Sequence, residues 1–132
     1  MKKMTALLLA VLMVLSMAAC ASKPAEESDL AYIQDKGTLV VGITDFAPMD
    51  YQNESGEWIG FDADLAKAFA DSLGVKVEFV EIVWDNKVLE LDSKTIDCVW
   101  NGMTLTDEVK NSMECTNPYF NNAQVVVTKA AE

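Results

Sequence analysis

The 132-residue sequence contains no histidine and no arginine, because all ten of its basic residues are lysines. Without histidine, the chain cannot build a Ser-His-Asp or Cys-His arrangement, an ordinary zinc site or an imidazole acid–base catalyst. Without arginine, it lacks the planar group that holds a carboxylate or phosphate through two parallel hydrogen bonds. Carboxylate chemistry stays open on counts alone, since Asp and Glu total 21. We therefore expect a protein that is not an enzyme and that has no metal site and no cofactor.

The excess of acidic residues gives a formal net charge of -11. Such a charge repels nucleic acid and anionic membrane surfaces, so neither is expected as a partner. The length allows one folded domain at most once a processed segment is removed.

The first twenty residues have the layout of a secretory signal peptide. Two lysines precede an apolar run from Ala6 to Leu15, which is shorter than the roughly 20 residues of a membrane-spanning helix. The "SMAAC" that ends at Cys20 resembles a bacterial lipobox, in which the cysteine is lipidated and becomes the new N-terminus. The alternative is ordinary cleavage near Ala18, which would leave Cys20 as a free thiol. Both alternatives predict export, and lipidation predicts anchoring to the outer face of the cytoplasmic membrane or a location in the periplasm.

Residues 21–29, "ASKPAEESD", are polar and contain proline, which is typical of a flexible tether. Helix and strand patterns then alternate over residues 30–132, the predicted folded domain. The predicted helices are "DLAYIQDKG", "FDADLAKAFADSLG", "WDNKVLELDSK" and "TDEVKNSM", and the predicted strands are "TLVVGI", "VKVEFVEI", "TIDCVW" and "AQVVVTK". Thr106 is the expected N-cap of the last helix.

The clearest predicted helix is "FDADLAKAFADSLG", which ends at Gly74. Asp62 and Asp64 lie in its first turn, where the helix dipole alone explains acidic residues. Its apolar stripe consists of Phe61, Leu65, Phe69 and Leu73.

This alternation predicts an α/β fold with a mostly parallel sheet that has helices on both faces. Ligands of such sheets bind beyond the carboxyl ends of the strands. The loops "TDFAPMDY" and "NGMTLT", which follow the first and third strands, should therefore share one rim.

The motifs "GTLVVGI", "DFAPMDY", "GFDADLAKAFADSLG", "WDNKVLELDSKTIDCVWNGMTLTDEV" and "NPYFNNAQVVV" occur in one order over residues 37–129. In that order they resemble the solute-binding proteins of bacterial amino-acid ABC transporters, the polar amino-acid binding family, family 3. The resemblance implies a periplasmic-binding-protein-like lobe that captures an amino acid or similar polar solute and delivers it to an ABC permease.

The same resemblance implies roles for six residues at the rim. Phe46 and Trp84 would stack on opposite sides of the ligand. Gly102 and Thr104 would offer oxygen atoms to its ammonium group, and Asn101 and Met103 would line the same turn.

The chain departs from the family pattern at two points. Val109 occupies the position of the arginine that usually grips the ligand carboxylate, so ligand identity stays open. Backbone N–H groups at the Thr106 helix start, or a second lobe, could meet the carboxylate instead. In addition, the sequence stops at "TKAAE", where the family crosses a hinge, so we expect a chain truncated to the first lobe, with the second lobe absent. The alternative is a lobe that acts alone or with a partner.

Two other functions stay open: a ligand-sensing or partner-binding module, and a dehydratase- or lyase-type enzyme on the same scaffold. Cys98 and Cys115 either pair as a disulfide or remain two buried thiols, and the sequence leaves both alternatives open.

Overall fold

The computed structural model describes residues 28–130. The predicted signal peptide, Cys20 and the tether as far as residue 27 lie outside the described residues. The chain divides into two compact units, Met1–Tyr32 and Ile33–Glu132, and the first is described only over its last five residues. None of the helices within residues 28–130 is long and apolar enough to cross a bilayer.

Ten elements follow one another within residues 28–130. The helices are α1 (Asp29–Lys36), α2 (Phe61–Leu73), a 3₁₀ turn (Trp84–Asn86), α3 (Lys87–Asp92) and α4 (Asp107–Ser112). The strands are β1 (Thr38–Ile43), β2 (Tyr51–Gln52), β3 (Trp58–Ile59), β4 (Lys76–Glu81) and β5 (Cys98–Val99). Helix α1 begins at Asp29, the last residue of the predicted tether.

The central sheet has three parallel strands in the order β4-β1-β5. Strand β1 is the middle strand: Leu39, Val41 and Ile43 are buried on one of its faces, and Gly42, which belongs to the other face, lies against Ile96. Strands β2 and β3 form a separate antiparallel pair. The predicted α/β fold with a parallel sheet is confirmed.

Helix α2 packs on the sheet through small residues rather than through its aromatic stripe. Ala66 and Ala70 join Leu39 and Val41 in the core. The predicted stripe is instead largely exposed, with Phe61, Leu65 and Phe69 at 51%, 36% and 45%. The stripe is therefore not the face that packs on the sheet, except at Leu73, which lies partly buried against the core. Alanines let the helix axis approach the sheet more closely than phenylalanines would. Gly74 ends the helix in the left-handed conformation, as predicted.

Two strand predictions need correction. The third central strand is only Cys98–Val99, much shorter than "TIDCVW". The predicted final strand "AQVVVTK" has no regular structure, and its three valines are 78–90% exposed. A strand is stabilised by hydrogen bonds to a neighbour, and none of the described strands pairs with these residues.

Candidate functional site

The loops that follow β1 and β5 meet at the carboxyl edge of the sheet, as predicted. Asn101 joins them, because its Oδ1 accepts the Thr44 backbone N–H at 2.8 Å and its Nδ2 donates to Thr44 Oγ1 at 2.6 Å. Asn101 is only 8% exposed. Both ends of its amide are therefore committed to the protein, and it braces the two loops.

Gly102 lies directly against the loop of Phe46. Its φ of +59° is left-handed, which glycine adopts without strain. A Cβ placed on Gly102 would lie 3.3 Å from Asp62 Oδ2, 3.6 Å from Phe46 Cε1 and 3.8 Å from Met49 Cγ. The structure therefore brings together two of the six predicted ligand-binding residues, Phe46 and Gly102.

A short closed loop presents Phe46 to solvent. The Phe46 N–H donates to the Asp50 carbonyl at 2.6 Å, and the Asp50 N–H donates back to the Phe46 carbonyl at 3.0 Å. The Asp62 N–H donates to the Met49 carbonyl at 2.9 Å, which ties the loop to the start of α2. The Phe46 side chain is 53% exposed. An exposed ring on a braced loop is available to stack on a ligand.

Of the remaining predicted residues, Trp84 lies on another element, whereas Met103 and Thr104 follow Gly102 in the same turn. Trp84 begins the 3₁₀ turn, is half-buried, and has the Lys87 ammonium 4.8 Å from its ring centroid. Thr104 is exposed, and its Oγ1 accepts the Asn122 amide at 3.1 Å. Met103 is half-buried in the same turn. The stacking of Phe46 and Trp84 around one ligand stays a prediction.

The expected cap of α4 is present. The Thr106 Oγ1 accepts the Val109 N–H at 3.2 Å, so the threonine caps the helix as predicted. Val109 itself is half-buried. An apolar side chain at this point cannot bind a carboxylate.

Two buried carboxylates lie beneath the rim, and no pattern in the sequence marks them as functional. Asp50 and Asp62 are each 0% exposed. Burial and the charge of Asp62 raise the pKa of Asp50 to about 7, and burial raises the pKa of Asp62. The helix dipole explanation for Asp62 is thus incomplete. No sequence signal marked Asp50, because an acidic residue in a polar loop is typical of a solvated surface.

A cavity of about 420 Å³ opens beside the first loop, outside the predicted site. It contains two acidic and two large aromatic side chains, and its lining is Asp45, Ala47, Tyr51, Gln52, Trp58 and Glu81. Trp58, which precedes α2 in the sequence, thus lies at a concave surface. Within residues 28–130, no group of three or more His, Cys, Asp or Glu side chains could hold a metal ion.

The cysteines do not form the disulfide that the sequence left open. Cys98 and Cys115 are both free. Cys98 lies in β5 against the core, and burial, with the charge of Asp97, raises the pKa of its thiol to about 12. Cys115 Sγ instead lies 3.5 Å from the Met113 carbonyl oxygen.

Comparison with known proteins gives one consistent family. The family described as bacterial extracellular solute-binding proteins, family 3, matches residues 39–132. The L-cystine-binding protein TcyJ of Escherichia coli is 34% identical over 110 residues, which are 82% of this chain and 41% of that protein. The cyclohexadienyl dehydratase of Pseudomonas aeruginosa is 32% identical over 119 residues, which are 89% of this chain and 44% of that protein. The chain thus spans less than half the length of these relatives.

A solved structure shows a similar fold at similar size. The arginine-bound form of domain 1 from TmArgBP, the ArgBP of T. maritima, superposes with a TM-score of 0.65 and 40% identity. The match covers 67% of this chain and 71% of that chain. The fold described above is therefore that of a single domain of such a binding protein.

Proposed function

This chain belongs to the bacterial extracellular solute-binding proteins, family 3, and we propose that it forms the solute-binding first lobe of an amino-acid ABC importer. The lobe binds an amino acid or a related small polar solute at the carboxyl edge of its sheet and delivers it to an ABC permease. Curated relatives in this family are amino-acid-binding proteins, which supports the proposed class of solute.

The convergence of Phe46 and Gly102 is the observation that carries this proposal. The Phe46 ring lies 3.6 Å from the position of a Gly102 Cβ, and both face a rim braced by Asn101 and Thr44. An exposed ring offers a stacking surface, and the turn that follows offers carbonyl and hydroxyl oxygens to an ammonium group. These are the groups that an amino acid requires for recognition.

The similarity of this chain to one domain of a binding protein supports the proposal of a single lobe. Domain 1 of TmArgBP, which matches the chain over 71% of its own length, has been solved in an arginine-bound form. A single lobe of this family can therefore hold a ligand. We expect weaker binding than in a two-lobed relative, because an open rim buries less of the ligand surface.

Val109 affects how the carboxylate of the solute is held. The usual arginine is absent, and Thr106 already accepts the Val109 N–H. We propose that the carboxylate binds backbone N–H groups near the start of α4 or a second lobe. A solute without a carboxylate at this position also fits.

Binding rather than catalysis is the proposed activity, although one relative is a dehydratase. The rim presents an aromatic ring, a glycine turn and a threonine hydroxyl, whereas the carboxylates beneath it are fully enclosed. A ligand at the rim would not touch these acids. A sensing or partner-binding module would use the same ligand site, but the lobe would then bind a partner other than an ABC permease.

The proposed location is outside the cytoplasmic membrane, with a lipid anchor on Cys20. The family name describes extracellular proteins, which supports export. Mass spectrometry of the mature protein tests the anchor, because lipidation adds a diacylglycerol-sized mass to Cys20. A mature chain that begins after Ala19 with an unmodified thiol would contradict it.

Isothermal titration calorimetry tests the proposed binding. Arginine, histidine, glutamine and cystine are titrated into the purified chain and into a version extended through any downstream lobe. We expect saturable heat with at least one compound, and tighter binding in the extended version. The proposal is overturned if neither version binds any of these compounds saturably, or if the chain turns over a cyclohexadienyl substrate.

A further inference from the structure

The enclosed pair Asp50 and Asp62 is the feature that solute binding leaves unexplained. Both side chains are 0% exposed, and both Asp50 carboxylate oxygens and Asp62 Oδ2 have no hydrogen-bond partner within residues 28–130. Only Asp62 Oδ1 is satisfied, by the Tyr119 hydroxyl at 2.8 Å. Burying two negative charges that repel each other is strongly unfavourable, so at least one of them must be neutralised.

Among residues 28–130, no cation is one of the groups that shift the pKa values of the pair. The titratable groups that act on the pair are the two aspartates themselves and Tyr119. From α2, the Ala63 backbone N–H acts on Asp50, and Asp64 points into solvent beside Lys67. From the segment after β5, the Gly102 N–H and the indole N–H of Trp100 lower the pKa of Asp62, although neither forms a hydrogen bond of good geometry with it.

A proton fits this environment better than a metal ion does. The neighbouring N–H and O–H donors repel a metal ion; they also lower the pKa values of the two acids, but burial outweighs them. No third carboxylate completes a ligand set within the described part of the chain. A proton also needs no cavity, whereas a hydrated ion would leave the carboxylates partly accessible.

The pair touches both loops of the rim. Asp50 closes the loop of Phe46 through two backbone hydrogen bonds. Asp62 Oδ2 lies 3.3 Å from the position of a Gly102 Cβ. A change of charge on the pair therefore acts directly on Phe46 and Gly102.

We propose that Asp50 and Asp62 bind one proton between them and that this proton holds the Phe46 loop against the start of α2, where the Gly102 turn lies against Asp62. When the proton is lost, repulsion between the two enclosed carboxylates pushes the Phe46 loop away from the start of α2 and so disturbs the Gly102 turn, which lies against both. The solute-binding rim is then favoured at acidic pH and weakened at alkaline pH. The effect of pH on solute binding rests on the proposed function, whereas proton binding itself does not.

The first experiment follows folding stability against pH and needs no solute. The pKa of Asp50 is about 7 in the folded chain, above its ordinary 3.8, so the folded state binds protons more tightly than the unfolded state between these values. Stability is therefore expected to be highest at low pH and to fall as pH rises through this window. Urea unfolding of wild type, Asp50→Asn and Asp64→Asn is measured from pH 4.5 to 8.

Asp50→Asn imitates the neutral acid and should flatten the pH dependence, while the exposed Asp64→Asn should retain it. Equal slopes in wild type and Asp50→Asn would overturn the proposal. A wild-type slope removed by millimolar Ca²⁺ or Na⁺ would also overturn it, because the pair would then be a metal site. If Asp50→Asn does not fold, carbon-13 NMR of the wild-type carboxyl groups replaces it. If the carboxyl signals of Asp50 and Asp62 both titrate below pH 5, proton binding is refuted.

The second experiment measures coupling to the rim with L-arginine as the probe, or with whichever of the four amino acids binds. Affinity should fall about tenfold between pH 6 and 8, because tenfold is the largest change that the loss of one proton with a pKa near 7 can produce over this range. Asp50→Asn should bind with little pH dependence. If no amino acid binds at any pH, the proposed function and the coupling both fail while the stability result stands. If binding is equal at both pH values in wild type, the coupling alone fails.

Discussion

The hydroxyl group of Tyr119 donates a 2.8 Å hydrogen bond to Oδ1 of Asp62, and this contact joins the irregular C-terminal segment to the start of helix α2. In the described part of the chain, it supplies the only hydrogen bond to the carboxyl group of Asp62, whose other oxygen has no partner there. Trp100 lies beside it, with its ring centroid 6.3 Å from that of Tyr119. The segment after α4 thus reaches the buried carboxylates although it forms no strand.

Removal of this hydroxyl should destabilise the chain. In Tyr119→Phe, Asp62 would lose its hydrogen bond while the ring contact with Trp100 remains. We expect a loss of about 1–3 kcal/mol in the free energy of unfolding, the usual cost of an unsatisfied buried group. Tyr51→Phe is the control and should change stability by less than about 0.5 kcal/mol. Equal effects of the two substitutions in urea unfolding would show that the Tyr119 hydroxyl contributes nothing specific.

Gly42 should not tolerate a larger residue, because isoleucine side chains already occupy the space over this position of the sheet. A Cβ at Gly42 would lie 2.5 Å from Ile96 Cδ1 and 3.3 Å from Ile82 Cδ1. Gly42→Ala should therefore cost about 1–3 kcal/mol. Ile96→Val removes the atom that clashes, so the double variant should be more stable than the sum of the two single effects predicts. Strictly additive effects in thermal or urea unfolding would contradict this steric explanation.

Asn101 should prove structurally necessary at the rim. In Asn101→Ala, the Thr44 N–H loses its acceptor in a partly buried position, and we expect a loss of about 1–3 kcal/mol. Asn122→Ala is the matched control, since its amide makes an exposed bond to Thr104. The control should cost less than about 1 kcal/mol. A larger effect at Asn122 than at Asn101 in equilibrium unfolding would show that the brace has been assigned to the wrong amide.

Phe46 should contribute to ligand binding more than to stability. Removal of its ring in Phe46→Ala should weaken amino-acid binding roughly two- to tenfold, the value of a stacking contact of about 0.5–1.5 kcal/mol. Phe61→Ala is matched in exposure, at 51% against 53%, and lies on α2 against Phe120. It should leave affinity unchanged in the same calorimetric assay. An equal loss in both variants would mean that the effect comes from folding and not from the site.

Much of the fold follows from local patterns in the sequence. Continuous apolar runs predicted β1 as a buried strand, and alternation of Val77 and Phe79 with charged residues predicted β4. Gly74 and Thr106 marked helix ends through their own backbone and side-chain chemistry. These features depend on neighbours a few residues away, so one sequence is sufficient to predict them.

The site was predictable only in its location. Strand order placed the Phe46 and Gly102 loops on one rim, and the structure brings these two residues into proximity. The brace made by Asn101 and the burial of Asp50 depend on which loops face each other across the sheet. The sequence spacing between Thr44 and Asn101 carries no information about a 2.8 Å contact.

The sequence by itself determined the alternation of helices and strands, the parallel sheet and the position of the rim, because periodicity and helix caps act over one or two turns. Tertiary structure alone decided which face of α2 is buried, why residues 123–129 do not form a strand, and how two acidic residues become enclosed. Each of these outcomes depends on the partner that a segment meets, and partners distant in sequence are brought together only when the chain folds.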